Sequence, residues 1–281
     1  MRTATFLIQA DDRKGLQAGI CGFLYSHDLN ILHCSQFTES EENRYFMRVS
    51  VAIESDITRK QLDAEFAGLA AEMGLSYQLF FDSDPQRVAV MVSKTSHCLY
   101  DLLVRAEEKT LGGDVVLVIS NHPDLEAVAD RFRVPYFCCP IENGKEREQE
   151  RQVLDLLERH HVDLVVLARY MRVLSDDFIA RYPERIINIH HAFLPAFQGG
   201  NPYQRAWKRG VKMIGATAHY ATADLDEGPI IEQDVERISH ENPPSELREI
   251  GRDIERRVLT RAVRAHLEHR IIVSGRRTIV L

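Results

Sequence analysis

The hydrophobic pattern changes character on either side of residues 82–85, and that change sets the architecture. Before it, Tyr45, Met47, Val49, Val51 and Ile53 occupy alternate positions. Successive side chains of a strand point to opposite faces, so this period reads as a strand with one buried face. After it, Leu164-Val165-Val166-Leu167 is apolar at every position. A strand of that kind must be covered on both faces, as in a parallel sheet flanked by helices. The two patterns belong to two sheets. Asp82-Ser83-Asp84-Pro85, short, polar and closed by proline, is the natural linker between them. A chain of 281 residues fits two domains of ordinary size, here 1–82 and 86–281.

In the first part, strands are expected at Thr3–Ala10, Asn30–Phe37, Tyr45–Ile53 and Ser76–Phe81. Leu16, Ile20, Phe23 and Leu24 share one face at helical spacing, as do Leu62, Phe66, Leu69 and Met73. The order β-α-β-β-α-β is the ferredoxin-like pattern, an antiparallel sheet under two helices. In the second part strands and helices alternate. Strands are expected at Arg87–Val92, Val115–Ser120, Pro135–Cys138, Leu164–Leu167 and Ile186–His190, and helices at His97–Glu108, Asp124–Phe132, Glu146–His160 and Asp176–Tyr182. Two further strands, Met213–Tyr220 and Ile230–Arg237, precede a long helix over Ser245–His269. A terminal hairpin turns around Gly275. Ligands of open parallel sheets sit beyond the carboxyl ends of the strands.

The formal net charge of −7 speaks against a general nucleic-acid or anionic-membrane binder, which needs a basic surface. Arg252, Arg256, Arg257, Arg261 and Arg264 do share the last helix, but Glu249, Asp253 and Glu255 lie among them, as on a solvated face. Cys21, Cys34, Cys98, Cys138 and Cys139 are odd in number and form no CxxC, which reads as reduced thiols in a cytoplasmic protein. The start of the chain lacks the apolar core of a signal peptide, and no run approaches the ~20 apolar residues of a membrane helix.

The chemistry concentrates in Ile186-Ile187-Asn188-Ile189-His190-His191. Positions i and i+2 of a strand share a face, so Asn188 and His190 project together from its end. An amide donor beside an imidazole suits a reaction that builds negative charge on a carbonyl oxygen and moves a proton near neutral pH. Thr217-Ala218-His219-Tyr220 follows, then a loop, Asp224-Leu225-Asp226-Glu227-Gly228, whose carboxylates can fold over a cleft. Taken singly, a histidine or asparagine at a strand end is more often structural, and loop aspartates more often cap turns. His191 reads equally well as a packing neighbour. The histidines have no helical metal-ligand spacing, so no metal is expected.

With NIHHAFLPAF at 188–197, IGATAHY at 214–220 and LDEGPII at 225–231, the chain resembles the formyltetrahydrofolate-dependent formyltransferase superfamily. Within it, the chain is most similar to the deformylases. That likeness runs through DRKGL (12–16), MVSKTSHCLYDLL (91–103), ISNHPDL (119–125), DLVVLARYMRVLS (163–175), NPYQRAW (201–207) and GRRTIVL (275–281). The resemblance implies an ACT domain followed by a Rossmann-like, mostly parallel formyltransferase domain. It implies hydrolysis of 10-formyltetrahydrofolate to formate and tetrahydrofolate, with no cofactor, supplying formate for purine synthesis and balancing the folate pool. It assigns catalysis to Asn188, His190 and Asp226, the aspartate directly before Glu-Gly-Pro. Asn188 would donate to the formyl oxygen, Asp226 would orient water and take its proton, and a cationic His190 would stabilise the oxyanion. The resemblance also places Arg172, Val173, Leu174, Ala223, Asp224, Leu225 and Gly228 around the pterin, and Tyr170 and Met171 are expected as walls of that slot. Related deformylases often carry serine where this chain has Ala192, so no hydroxyl role is expected there.

Two other readings compete. An amine-acceptor formyltransferase would hold a phosphorylated acceptor on a glycine-rich loop after the first strand. Here that segment, Ser93-Lys94-Thr95-Ser96-His97-Cys98, has no glycine, which leaves water as the acceptor. A non-catalytic folate or amino-acid sensor would have no need of Asn188, His190 and Asp226 together. ACT domains pair between subunits and bind amino acids where they pair, so a homo-oligomer is expected. A small amino-acid effector is expected near Arg13, Lys14, Gly15 and Asn30, with oligomerisation alone as the plainer role for that domain.

Overall fold

The computed structural model describes residues 2–83, 85–142, 144–195 and 202–281. Two compact units result. One comprises Met1–Pro85 with His269–Ser274 and Ile279–Leu281, the other Gln86–Glu268 with Gly275–Thr278.

The first unit runs β1 (Arg2–Asp11), α1 (Leu16–Ser26), β2 (Leu29–Glu39), β3 (Arg44–Ile53), α2 (Arg59–Met73), β4 (Ser76–Phe81). The sheet order is β2-β3-β1-β4, antiparallel throughout its pairs. Local chemistry sets the helix ends. Gly15 takes a left-handed φ of 94° where β1 turns into α1. Thr58 and Gln61 form a capping box at α2, and Gly74 closes it in the left-handed region. Phe6, Ile8, Met47 and Val49 bury one sheet face against Ile20, Leu24, Leu62 and Phe66 of the helices.

The sequence pattern gave β3 a single buried face, and it placed all of 86–281 in the second domain. The structure differs on both points for one reason. Ile272, Ile279 and Leu281 from the end of the chain pack on Leu7, Phe46 and Phe80, covering the second face of the first sheet. Phe46 is therefore buried as deeply as Met47. Hydrophobic residues at the chain end had no pattern to show which sheet they cover.

The second unit runs β5 (Arg87–Val92), α3 (His97–Glu107), β6 (Asp114–Ser120), α4 (Glu126–Arg131), β7 (Tyr136–Cys138), α5 (Glu146–Arg159), β8 (Leu164–Leu167), α6 (Asp176–Arg181), β9 (Ile186–His190), α7 (Pro202–Arg209), β10 (Met213–Tyr220), β11 (Ile230–Arg237), α8 (Pro244–Leu267). A terminal pair, β12 (Ile271–Ser274) and β13 (Arg277–Val280), follows. Among the described residues the main sheet has the order β11-β10-β9-β8-β5-β6-β7. The pairs from β9 through β7 are parallel, while β10 and β11 run antiparallel. Helix α7 is not among the helices expected from the sequence. Its signals were Pro202 at the first helical position and the buried Tyr203 and Ala206 three apart.

Strand order reverses between β5 and β8, which splays the loops after them. Such a switch point is where open α/β sheets bind ligands. The loop after β5 is tied down by side chains. Ser93 Oγ donates to Asn121 Oδ1 at 2.8 Å and accepts from the Met171 N–H at 3.2 Å.

Candidate active site

A cavity of about 340 Å³ opens at the carboxyl ends of β8 and β9. Asn188 and His190 enter it from β9, two residues apart, and Asp226 enters from the β10–β11 loop. The loop geometry explains how a carboxylate arrives there. Asp226 has φ 57°, a left-handed conformation that aspartate tolerates. Gly228, two residues on, runs so close to β10 that a Cβ would lie 1.8 Å from the Tyr220 carbonyl oxygen.

The three side chains meet a fourth. His190 Nδ1 lies 3.2 Å from Asp226 Oδ2, and His219 Nε2 lies 3.6 Å from Oδ1. His219 faces Asn188 directly across the β9–β10 ladder, with Asn188 Nδ2 3.2 Å from His219 Nε2. His219 Nδ1 lies 2.9 Å from the Tyr220 carbonyl, so its proton sits there and Nε2 accepts from the Asn188 amide. That contact fixes which end of the amide points where and leaves its second N–H free for a ligand. The hydrogen bond with His190 is the largest influence on the Asp226 carboxyl and holds it well below the usual carboxylate range against the opposing effect of burial. Asp226 is thus ionised at neutral pH while its side chain is only 12% exposed. His191, next along the chain, is pulled down to about 4, first by burial and then by the charge of Arg169, so it is neutral.

The residues expected as walls divide. Tyr170, Met171, Arg172, Val173, Leu174, Ala223 and Leu225 line the cavity with the catalytic candidates. Met171 is 58% exposed, so core packing does not explain it. Tyr170 and Leu174 are buried, Tyr170 accepting from Gln149 Nε2 at 3.1 Å. Ser175 caps α6, and its N–H donates to Glu150 at 2.7 Å, which anchors the wall. Asp224 and Gly228 are not lining residues. Asp224 is exposed, and its carbonyl accepts from Thr222 and the Glu227 N–H in the turn. Gly228 is buried at the crossing over β10.

The sequence alone marks no role for His219. Its signal was alternation with Thr217 on a strand next to Asn188, but the register that pairs them is a property of the fold. Thr217 itself donates to the Ala192 carbonyl at 2.9 Å and accepts from the Leu194 N–H at 3.1 Å, pinning the chain after His190.

The effector residues do not come together in one chain. Asn30 pairs with Ala52, which pairs with Thr3, at one end of the sheet. Arg13, Lys14 and Gly15 follow Asp11 at the other end. From Thr3 to Asp11 is eight residues, roughly 26 Å of strand. The sequence puts Asn30 at the start of the next strand, and α1 carries that start to the far end of the sheet. Arg13 donates to the Met73 carbonyl at 2.8 Å.

Among the described residues, His97, Cys98 and Glu255 place ligand atoms within 4.8 Å of one another. The Cys98 thiol is pushed well up by burial, and Arg169 stands beside Glu255. Both oppose a divalent cation there. No helix among the described residues is long and apolar enough to cross a membrane.

Residues 86–263 match the formyl transferase family. A formyltetrahydrofolate deformylase from Synechocystis is 47% identical over 99% of this chain and 98% of its own. The crystal structure of a formyltetrahydrofolate deformylase from Pseudomonas syringae superposes with a TM-score of 0.97 at 39% identity, covering 100% of this chain and 95% of that one. Glycinamide ribonucleotide transformylase 1 from Symbiobacterium toebii, at 32% identity and a TM-score of 0.67, covers 73% of this chain and 98% of its own. The likeness to the deformylases thus takes in both units, and the chain belongs to the formyl transferase family and, within it, to the formyltetrahydrofolate deformylases.

Proposed function

We propose that this enzyme hydrolyses 10-formyltetrahydrofolate to formate and tetrahydrofolate, with Asn188, His190 and Asp226 as the catalytic residues. The observation that carries the reading is the setting of Asp226, an ionised carboxylate only 12% exposed, held by His190 with an oriented amide alongside. The free N–H of Asn188 donates to the formyl oxygen as it gains charge. Asp226 orients the attacking water. A carboxylate held so far below its usual range is a poor store for a proton, so Asp226 and His190 act as one unit. The pair takes a proton from water as the C–O bond forms and returns one to the folate nitrogen as the C–N bond breaks. Protonated His190 faces the tetrahedral oxyanion. No cofactor or metal enters these steps.

Tyr170, Met171, Arg172, Val173, Leu174, Ala223 and Leu225 form the pterin slot in this reading, with Asp224 and Gly228 shaping the loop rather than the slot. Water is the acceptor because the loop after β5 is closed by the bonds of Ser93 and presents no glycine cradle for a phosphate. Purified enzyme should release formate and tetrahydrofolate one for one, without an acceptor and without added metal. Release that requires an amine would sink the hydrolytic reading.

The enzyme works in the cytoplasm, where its five cysteines stay as thiols, and supplies formate for purine synthesis. The first unit is an ACT-like regulatory and oligomerisation domain. Its edge strand β2 is exposed along most of its length and carries Ile31, Leu32 and Phe37 at 39–47% exposure. An edge of this kind is suited to pairing with a second copy. A small amino-acid effector would then be held by Arg13, Lys14 and Gly15 of one copy with Asn30 of another. Light scattering with and without glycine tests this, and a monomer in both conditions would refute it.

A further inference from the structure

Hydrolysis creates a charge that the cleft is badly placed to hold. Water and a neutral formamide give a secondary amine, formate and a proton. The C–N bond breaks, a C–O bond forms, and the released proton leaves an anion behind. That formate arises beside Asp226, which is already ionised. Like charges in a partly desolvated site repel strongly, so the product needs a cationic neighbour.

One stands on the other side of the wall. A second cavity, of about 430 Å³, shares Arg169, Met171 and His191 with the catalytic cleft. Its lining carries three guanidinium groups, Arg169, Arg248 and Arg252, against the single carboxylate of Glu255. That carboxylate is already satisfied. Glu255 is 1% exposed and bonds His97 Nε2 at 2.8 Å and the Tyr203 hydroxyl at 2.6 Å. Arg169 Nη1 approaches Glu255 Oε1 only to 3.5 Å, too long for a charge-assisted hydrogen bond. Its Nε and Nη1 have no acceptor among the described residues, although both atoms are buried. A buried guanidinium with spare donors favours an anionic acceptor, which meets its charge while taking one of its N–H groups. Arg169 stands two residues after the end of β8 at the switch point, with a left-handed φ of 66° that a residue with a side chain adopts at a cost. Arg248 and Arg252 are exposed, one turn apart on α8, and lead from the buried guanidinium outward. The wall between the two cavities includes His191, which is neutral and so adds no charge of its own.

We propose that this second cavity receives the formate product, with Arg169 binding its carboxylate. The site rests on the hydrolytic reading for its ligand but not for its chemistry, since the receptor groups would bind any small carboxylate. The test uses the full chain and ¹³C-formate, with binding read by NMR in the absence of folate and product inhibition read in its presence. Arg169→Met should weaken formate binding ~10- to 100-fold, the scale of a lost charged hydrogen bond. Arg169→Lys, which keeps the charge and loses the Nε–H donor, should fall between. Glu255→Gln should act in the opposite sense and tighten binding, because it removes the competing anion while keeping the hydrogen-bonding shape. The opposed signs separate a binding role from general damage, which would weaken both variants. Formate binding unchanged in a folded Arg169→Met protein, or weakened in Glu255→Gln, would overturn the proposal. Hydrolysis without any formate binding would also overturn it. Formate binding through Arg169 in an enzyme that releases no formate would overturn the hydrolytic reading and leave the carboxylate site standing.

Discussion

The second unit buries two carboxylates beside histidines, and the two do different work. Asp226 stands on a loop, in a left-handed backbone conformation, and faces a cleft. Glu255 stands in the middle of a 24-residue helix and is enclosed. Burial raises the Glu255 carboxyl, but the His97 hydrogen bond, the Arg169 charge and the Tyr203 hydroxyl outweigh it and leave the group lowered. Asp226 is lowered mainly by one histidine, His190, with His219 further off. The difference is one of satisfaction. Glu255 has partners on both oxygens and holds α8, α3 and α7 to one another. In the proposed reaction Asp226 keeps capacity in reserve for a water molecule. A carboxylate that reacts must be poised and unfinished, whereas one that braces the fold must be completed.

That contrast can be broken by exchanging the expected losses. Asp226→Asn should lower kcat by ~10²- to 10⁴-fold, the range for a positioned proton-transfer group, while the urea midpoint stays near that of the parent. Asn188→Ala should cost ~10²- to 10³-fold in kcat as a lost oxyanion donor. Near-normal turnover in either folded variant would remove that residue from the mechanism. Glu255→Leu should show the reverse. Removing one partner of a buried ion pair costs about 3–5 kcal/mol, and here it strands Arg169 and His97. Chemical denaturation reads that loss directly, and a stable Glu255→Leu protein would dissolve the distinction.

Smaller effects sharpen the comparison. His219→Phe frees the Asn188 amide to rotate and should lower kcat ~10- to 100-fold with KM little changed, as expected for misplacement rather than lost binding. If KM moves and kcat does not, His219 binds folate instead. The smallest effect concerns pH. His191 has a folded value of about 4 against an ordinary value of 6.5. The unfolded chain therefore takes up a proton at His191 below 6.5 that the folded chain refuses until about 4, and stability falls as pH drops through that window. Asp226 works in the lower range, since its stabilising charge is present above the ordinary carboxylate value and is lost on further acidification. Thermal melts at pH 7 and pH 5 should differ less in His191→Gln than in the parent. An equal difference would mean that His191 is not held neutral by its surroundings.

Legibility from the sequence followed locality. The β9 pair Asn188 and His190 could be read because two residues on one strand share a face whatever surrounds them. The unbroken run at Leu164–Leu167 announced a strand covered on both sides, and all four residues are buried. His219 could not be given its place, because its contact with Asn188 depends on the antiparallel return of β10. Arg169 and Glu255 were further out of reach. Glu255 meets His97 across 158 positions, and nothing in a helix rich in arginine and glutamate marked one carboxylate as internal. The effector residues show the other direction, because within one chain they stand apart. Closeness along the chain at Gly15 and Asn30 was read as closeness in space, while a helix of 11 residues carried the chain to the opposite end of the sheet. The chain end, too, was assigned by adjacency and went elsewhere, onto Leu7 and Phe46.

Water as the acceptor is the central claim, and isotope transfer tests it most directly. A single turnover of 10-formyltetrahydrofolate in ¹⁸O-labelled water, with no amine present, should place one labelled oxygen in each formate and release tetrahydrofolate in equal amount. Formate without label, or bound folate that stays formylated until an amine is supplied, would contradict the account.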